Sequence, residues 1–142
     1  MRLHRDAKAE LIRKLPLFAQ CTDAEIARIA AIADEIDFSE GRRLTRESAA
    51  GNEVVVLVEG TAEVRQGDEV VNRVGPGEFV GEIALLTGQR RTATVVATSP
   101  VHALVIEGHA FLQLLSDVPD IRSKVQRAAW DHLEHDSTPA ES

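Results

Sequence analysis

Glu53-Val54-Val55-Val56-Leu57-Val58-Glu59-Gly60-Thr61-Ala62-Glu63-Val64-Arg65 is the stretch whose reading decides the fold. The run from Val54 to Val58 carries no polar residue, so it lacks the alternation of a strand with one wet face. A short β-branched run of that kind lies in the middle of a β structure, apolar on both sides. Glu59-Gly60 then supplies a turn, and Thr61 to Arg65 reads as the returning strand.

The same pattern extends in both directions. Arg42 to Thr45, Glu69 to Val74, Thr92 to Ala97 and Val101 to Ile106 are further β-branched runs. Between the runs stand Ser39-Glu40-Gly41, Ala50-Gly51-Asn52, Gln66-Gly67-Asp68, Gly75-Pro76-Gly77 and Ser99-Pro100. Glycine reaches positive φ, proline presets φ, and Asn, Asp and Ser bond to nearby backbone, so each of these separators favours a turn. Evenly spaced short strands with turns between them indicate an antiparallel sandwich or barrel.

On either side the period becomes helical. Leu11, Ile12, Leu15 and Phe18 recur at helix spacing, interrupted at Pro16. Thr22 and Glu25 have the spacing of a capping box, with Ile26, Ile29, Ala30 and Ala33 as the apolar stripe behind it. After Gly108, the residues Phe111, Leu112, Leu114 and Leu115 predict one short helix. Asp117-Val118-Pro119-Asp120 then restarts the chain, since proline and acids suit a first helical turn. Ile121, Val125, Ala128, Ala129 and Leu133 continue that stripe. The expected organisation is mainly β with flanking helices, one domain over 1–142. It divides into an N-terminal helical segment over 1–35, a β-rich zone over 36–106, helices over 108–135 and a polar tail over 136–142.

Composition narrows the function classes. The 142 residues carry 44% hydrophobic and 27% charged residues, enough for one buried core and a wet surface. A formal net charge of −7 argues against nucleic acid as partner, because such binding neutralises phosphates. No run approaches the roughly 18 apolar residues of a membrane span, and the charged start lacks a secretory signal. The single cysteine, Cys21, can form no internal disulfide and points to a reducing cytoplasm. Five histidines invite a metal reading of the cupin kind, but no His-x-His occurs. His4, His102 and His109 are scattered, and His132 with His135 makes only two ligands, so no metal is expected. No serine, histidine and carboxylate spacing suggests a nucleophile, and no catalytic residue is assigned.

One segment breaks the strand pattern: Gly77-Glu78-Phe79-Val80-Gly81-Glu82-Ile83-Ala84-Leu85-Leu86-Thr87-Gly88-Gln89-Arg90-Arg91-Thr92-Ala93-Thr94. Gly81 to Leu86 fits a glycine-led helical turn, whose free N–H groups suit a phosphate. Arg91 can donate two parallel hydrogen bonds to phosphate oxygens. Glu82 repels a phosphate, and its natural use is to accept from a sugar hydroxyl. Together these residues imply a phosphate joined to a ribose.

Val80-Gly81-Glu82-Ile83-Ala84-Leu85-Leu86, followed by Arg91-Thr92-Ala93-Thr94, resembles the phosphate-binding cassette of cyclic nucleotide-binding domains, the cAMP and cGMP receptor modules. Leu15-Pro16-Leu17-Phe18 is similar to their helical lead-in, Val56 to Val64 to their central hairpin, and Gly75-Pro76-Gly77-Glu78-Phe79 to the approach to the cassette. The likeness runs from about Leu11 to Leu133. Val80 and Arg90 depart from it, standing where the family often has phenylalanine and proline. The resemblance implies an eight-stranded, jelly-roll-like β-roll flanked by helices. It also implies a pocket of Val80, Gly81, Glu82, Ile83, Ala84, Arg91, Thr92 and Ala93. In that pocket Arg91 takes the cyclic phosphate, Glu82 the ribose 2′-hydroxyl, and Thr92 stands beside the phosphate. Trp130 is the candidate cap over the base, with an interface role fitting as well.

On this resemblance the chain is expected to be a bacterial, stand-alone, non-catalytic receptor for cAMP, less so cGMP. It would need no cofactor and would signal by conformation to an unknown downstream protein or, as a homodimer, to a second copy of itself. The competing expectation is a degenerate domain in which Glu82 and Arg91 form an internal ion pair and the roll binds only protein.

Overall fold

The structure, a computed structural model, describes residues 2–45, 53–81 and 93–128. The helical lead-in consists of α1 (Arg2–Arg13), a 3-10 turn (Pro16–Phe18) and α2 (Asp23–Ile32). Among the described residues eight strands follow: β1 (Ala33–Phe38), β2 (Arg43–Thr45), β3 (Glu53–Glu59), β4 (Ala62–Gln66), β5 (Glu69–Val74), β6 (Phe79–Val80), β7 (Thr94–Ala97) and β8 (Val101–Glu107). The chain then forms α3 (Gly108–Asp117) and, from residue 119 through 128, helix α4. Among the described residues no helix is long and apolar enough to cross a membrane.

The strands make two four-stranded sheets, and every pairing is antiparallel. Sheet A has the order β1-β8-β3-β6 and sheet B the order β2-β7-β4-β5. This is the β-roll with flanking helices that the resemblance implies.

The double-sided apolar run has the place its composition requires. β3 is interior to sheet A, and Val54, Val55, Val56 and Leu57 are at most 1% exposed. Val54 and Val56 join the helices' core with Phe18, Ile26, Ile29, Phe111, Leu114, Ile121 and Val125. Val55 and Leu57 face the second core, between the sheets, with Leu44, Val80, Val95 and Ala97. β8 does the same: Leu104 and Ile106 turn to the helices, and Val101, Ala103 and Val105 to the other sheet. Each buried valine, leucine, isoleucine or phenylalanine among them contributes roughly 1.5–3 kcal/mol. Sheet A is therefore a shared wall between two apolar layers.

The caps explain where the helices start. Thr22 Oγ1 accepts from the Glu25 N–H at 3.2 Å, and Glu25 Oε1 accepts from the Thr22 N–H at 2.9 Å. That reciprocal box begins α2 at Asp23. At α3 the Glu107 carboxylate accepts from the N–H groups of His109 and Ala110. Those backbone bonds, first of all the one from His109, hold it below the usual carboxylate range.

The structure departs from the sequence expectations at three places. Helix α2 ends at Ile32, and Ala33–Phe38 form β1, where a helical segment was expected to 35. The Ala33 N–H still bonds to the Ile29 carbonyl, so helix passes into strand without a loop, and Ala33 fits either stripe. Phe79–Val80 form a two-residue strand on β3, where only an approach to the cassette was read. Leu112, grouped with the apolar residues of α3, is 40% exposed, whereas Phe111, Leu114 and Leu115 are buried.

A corner at one end of the roll fixes the β3–β4 hairpin. Gly60 has φ +96°, and a Cβ there would sit 2.2 Å from the Pro100 carbonyl oxygen. The next residue binds the same turn: the Thr61 N–H donates to Ser99 Oγ at 3.0 Å, and the Thr98 N–H to the Thr61 carbonyl at 2.9 Å. Gly60→Ala therefore meets both a backbone strain and a clash against a carbonyl that cannot swing away. We expect it to destabilise the fold by about 2–4 kcal/mol in urea denaturation. Thr22→Ala, which removes one half of the capping box, should cost about 1 kcal/mol in the same measurement.

Candidate functional site

Of the pocket residues expected from the sequence, the structure describes Val80, Gly81 and Ala93. Glu82, Ile83, Ala84, Arg91, Thr92 and the candidate cap Trp130 lie outside the described residues, as do Leu85 and Leu86. The site is therefore built from its frame.

The approach is a closed turn. The Glu78 N–H donates to the Gly75 carbonyl at 3.1 Å, and the Gly75 N–H donates to Glu78 Oε1 at 2.6 Å. Two further bonds fasten this turn to the central strand: Gly77 N–H to the Leu57 carbonyl and Leu57 N–H to the Glu78 carbonyl, both 2.8 Å. β6 then pairs on β3, Val80 opposite Val55 and Phe79 opposite Val56. Its two side chains part company, as strand geometry demands. Phe79 enters the helices' core beside Phe111 and Leu115, while Val80 enters the core between the sheets.

Gly81 leaves the strand with φ +99°. L residues with side chains rarely adopt that backbone, and at a strand end it turns the chain out of the sheet. The chain is next described at Ala93, half-buried, and Thr94 opens β7 in sheet B between β2 and β4. The stretch between Gly81 and Ala93, on which the expected ligand residues fall, thus leaves from sheet A and is followed by a strand of sheet B. Thr94 is in register with Arg65 of β4, and Val95 with Val64. Val95, at 4% exposure, anchors the return in the inter-sheet core.

Sequence reasoning missed a second support. Pro16 was read as an interruption of a helix, but its ring packs on the approach to the cassette. A Cβ at Gly77 would lie 3.1 Å from Pro16 Cδ and 3.4 Å from Cγ. The Pro16 carbonyl accepts from Lys124 Nζ on α4 at 2.9 Å, and Lys124 also pairs with Asp120 at 3.2 Å. The lead-in turn therefore touches the cassette approach on one side and the C-terminal helix on the other. Its trace in the sequence is a proline between Leu15 and Leu17, just after a helical run, with a glycine elsewhere able to receive it.

The sequence profile of the cyclic nucleotide-binding domain matches residues 35–118, which span β1 through α3. The chain belongs to the cyclic nucleotide-binding domain family. Domains of this family are regulatory, non-catalytic modules. The chain is 31% identical over 121 residues to a cAMP-dependent protein kinase regulatory subunit of Mycosarcoma maydis, covering 79% of this chain and 23% of that one. Among solved structures it is similar to cAMP-bound PfPKA-R, with TM-score 0.84 and 19% identity over 94% of this chain and 46% of that one. It is also similar to the regulatory subunit of a cAMP-independent protein kinase A from Trypanosoma brucei. There the TM-score is 0.81 and the identity 22%, over 91% of this chain and 47% of that one. The chain spans only 23% and 29% of the length of the first two curated relatives it matches.

The family domain makes the frame's geometry specific. Gly81→Ala should cost roughly 1–3 kcal/mol of stability in chemical denaturation, the range for a non-glycine residue held at positive φ. An unchanged midpoint would show that the exit from β6 does not need that backbone conformation.

Proposed function

We propose that this chain is a non-catalytic, cytoplasmic receptor that binds a cyclic nucleotide, cAMP in preference to cGMP, and signals by a change of conformation. The observation that carries the reading is the intact series Gly81-Glu82-Ile83-Ala84 and Arg91-Thr92-Ala93 in a segment whose two ends are anchored in opposite sheets of a cyclic nucleotide-binding domain. Arg91 pairs with the cyclic phosphate, Glu82 accepts from the ribose 2′-hydroxyl, and the N–H groups after Gly81 complete the anion site. Thr92 stands where base preference is decided, and Trp130 is the candidate base cap. The whole of 1–142 acts as one domain.

The output follows from where the frame is attached. Ligand draws the Gly81 to Leu86 segment inward, and Leu85 and Leu86 repack against the layer that holds Phe111, Leu114 and Leu115. The C-terminal helix then closes over the base. A ligand shifts such an equilibrium only by its differential affinity for the two forms, so the closed form binds more tightly. The reader of the change is a downstream protein or a second copy of this chain.

A second reading is favoured by one comparison. The Trypanosoma brucei subunit, described as belonging to a cAMP-independent kinase, shares the fold at TM-score 0.81. In that reading the roll is a ligand-free scaffold for protein contacts. A thermal-shift series with cAMP and cGMP separates the two. Saturation at 100 times Kd corresponds to about 2.7 kcal/mol of stabilisation, and no shift with either nucleotide favours the scaffold. If cAMP binds, Arg91→Ala should weaken it by about 2–5 kcal/mol in calorimetry. Glu82→Gln should weaken it less, since an amide oxygen still accepts from a hydroxyl. Unchanged affinity in Arg91→Ala would sink the assignment of the phosphate to Arg91.

A further inference from the structure

Among the described residues β1 is an outer strand of sheet A, paired with β8. Asp37 stands opposite His102 in that pairing, and Glu35, two residues away, shares the same face. The imidazole lies between them. Its Nδ1 is 2.7 Å from Asp37 Oδ1, and its Nε2 is 2.8 Å from Glu35 Oε2. A neutral imidazole has one N–H and can donate to only one carboxylate, leaving the other nitrogen's lone pair against an oxygen lone pair. Only the imidazolium donates to both. We propose that His102 is a proton-operated clasp: as imidazolium it bridges Glu35 and Asp37 and fastens the outer strand β1 to β8, and on deprotonation it releases one carboxylate.

The surroundings fit that role. Glu59 on β3 is the register partner of His102 on its other side, so the residues in register with His102 on both neighbouring strands are acidic. Glu35 and Asp37 reach opposite ring nitrogens, so the three side chains do not converge on one point as metal ligands would. His102 is 25% exposed at its side chain, dry enough for the bonds to count and wet enough for the proton to exchange. The bond to Asp37 is the largest influence raising the His102 pKa, partial burial opposes it, and Glu35 adds to the rise.

The sign follows from linkage. A folded state that holds the proton more tightly than the unfolded chain is stabilised by the clasp fully below the unfolded imidazole value, about 6.5. That contribution is lost as pH rises through the raised folded-state value. The clasp sits where its release has a structural consequence. β1 issues directly from α2, β8 runs directly into α3, and Arg28 of α2 pairs with Asp117 of α3 at 2.8 Å. Opening that end of the ladder, at Asp37 opposite His102 and Phe38 opposite Val101, shortens the pairing by which the strand that follows α2 is held in sheet A.

The test pairs a ring titration with backbone exchange. NMR of the histidine Cε1–H signals, with His102 assigned by His102→Gln, should give a His102 midpoint above the ordinary imidazole value. The double variant Glu35→Gln, Asp37→Asn should bring that midpoint back toward it. Hydrogen-exchange protection of the β1 amides from Glu35 to Phe38, corrected for intrinsic rates, should fall several-fold as pH passes that midpoint. In His102→Gln it should be flat over the same range. A His102 midpoint at or below the ordinary value, or β1 protection indifferent to the titration, would overturn the clasp. Should His102→Gln not fold, the single variants Glu35→Gln and Asp37→Asn, at side chains 38% and 85% exposed, carry the same comparison.

Discussion

The constraint on which the rest depends is that two neighbouring strands, β3 and β8, bury both of their faces. One face is covered by helices and the other by sheet B, so neither layer can be removed without exposing a row of valines and leucines to water. The flanking helices are thus as much a part of the core as the strands. The same double burial creates a difficulty of register. In a strand with one wet face, a slip of one residue is forbidden because it turns apolar side chains outward. Val54-Val55-Val56-Leu57 carries no such penalty. Register must come from outside the strand, and two places supply it: the Gly60 corner locked under Pro100, and the paired bonds of Leu57 with Gly77 and Glu78.

That second lock is also what places the candidate site. The same backbone bonds that fix β3 hold the turn from which β6 and Gly81 emerge. Phe79 and Val80 then put one side chain into each apolar layer. A segment anchored this way is mechanically joined to the helices through Phe79 and to the inter-sheet core through Val80. Its return into β7 joins it to sheet B. Both of its ends are thus seated in the apolar layers.

Much of this was legible in the sequence, and the reasons differ by element. The strand runs were visible because β-branched residues and glycine turns alternate on a short period. The α2 start was visible because Thr22 and Glu25 make a local motif that depends on nothing distant. β1 was hidden because Asp34-Glu35-Ile36-Asp37 is an acid-rich outer strand, exposed along most of its length, with no apolar alternation to announce it. Its partner across the ladder, not its own composition, makes it a strand. The pairing of His102 with Glu35 and Asp37 was hidden for the same reason, being set by register between residues 65 and 67 positions apart. For the site, the cassette's order and spacing suggested a chemistry whose residues lie mostly outside the described ones, and the long-range contacts of its frame were not visible in the sequence. The contact of Pro16 with Gly77 joins two segments that only the folded roll brings together.

That contact is a shared seat for two distant segments. The ring of Pro16 occupies the space that any side chain at Gly77 would claim, and its carbonyl is held by Lys124. Two constraints meet at position 77: its φ of +87° disfavours any L side chain, and the Pro16 ring leaves a Cβ there only 3.1 Å. Because Lys124 grips a backbone carbonyl, which any residue at 16 would carry, that grip fixes where the lead-in turn sits rather than which side chain it bears.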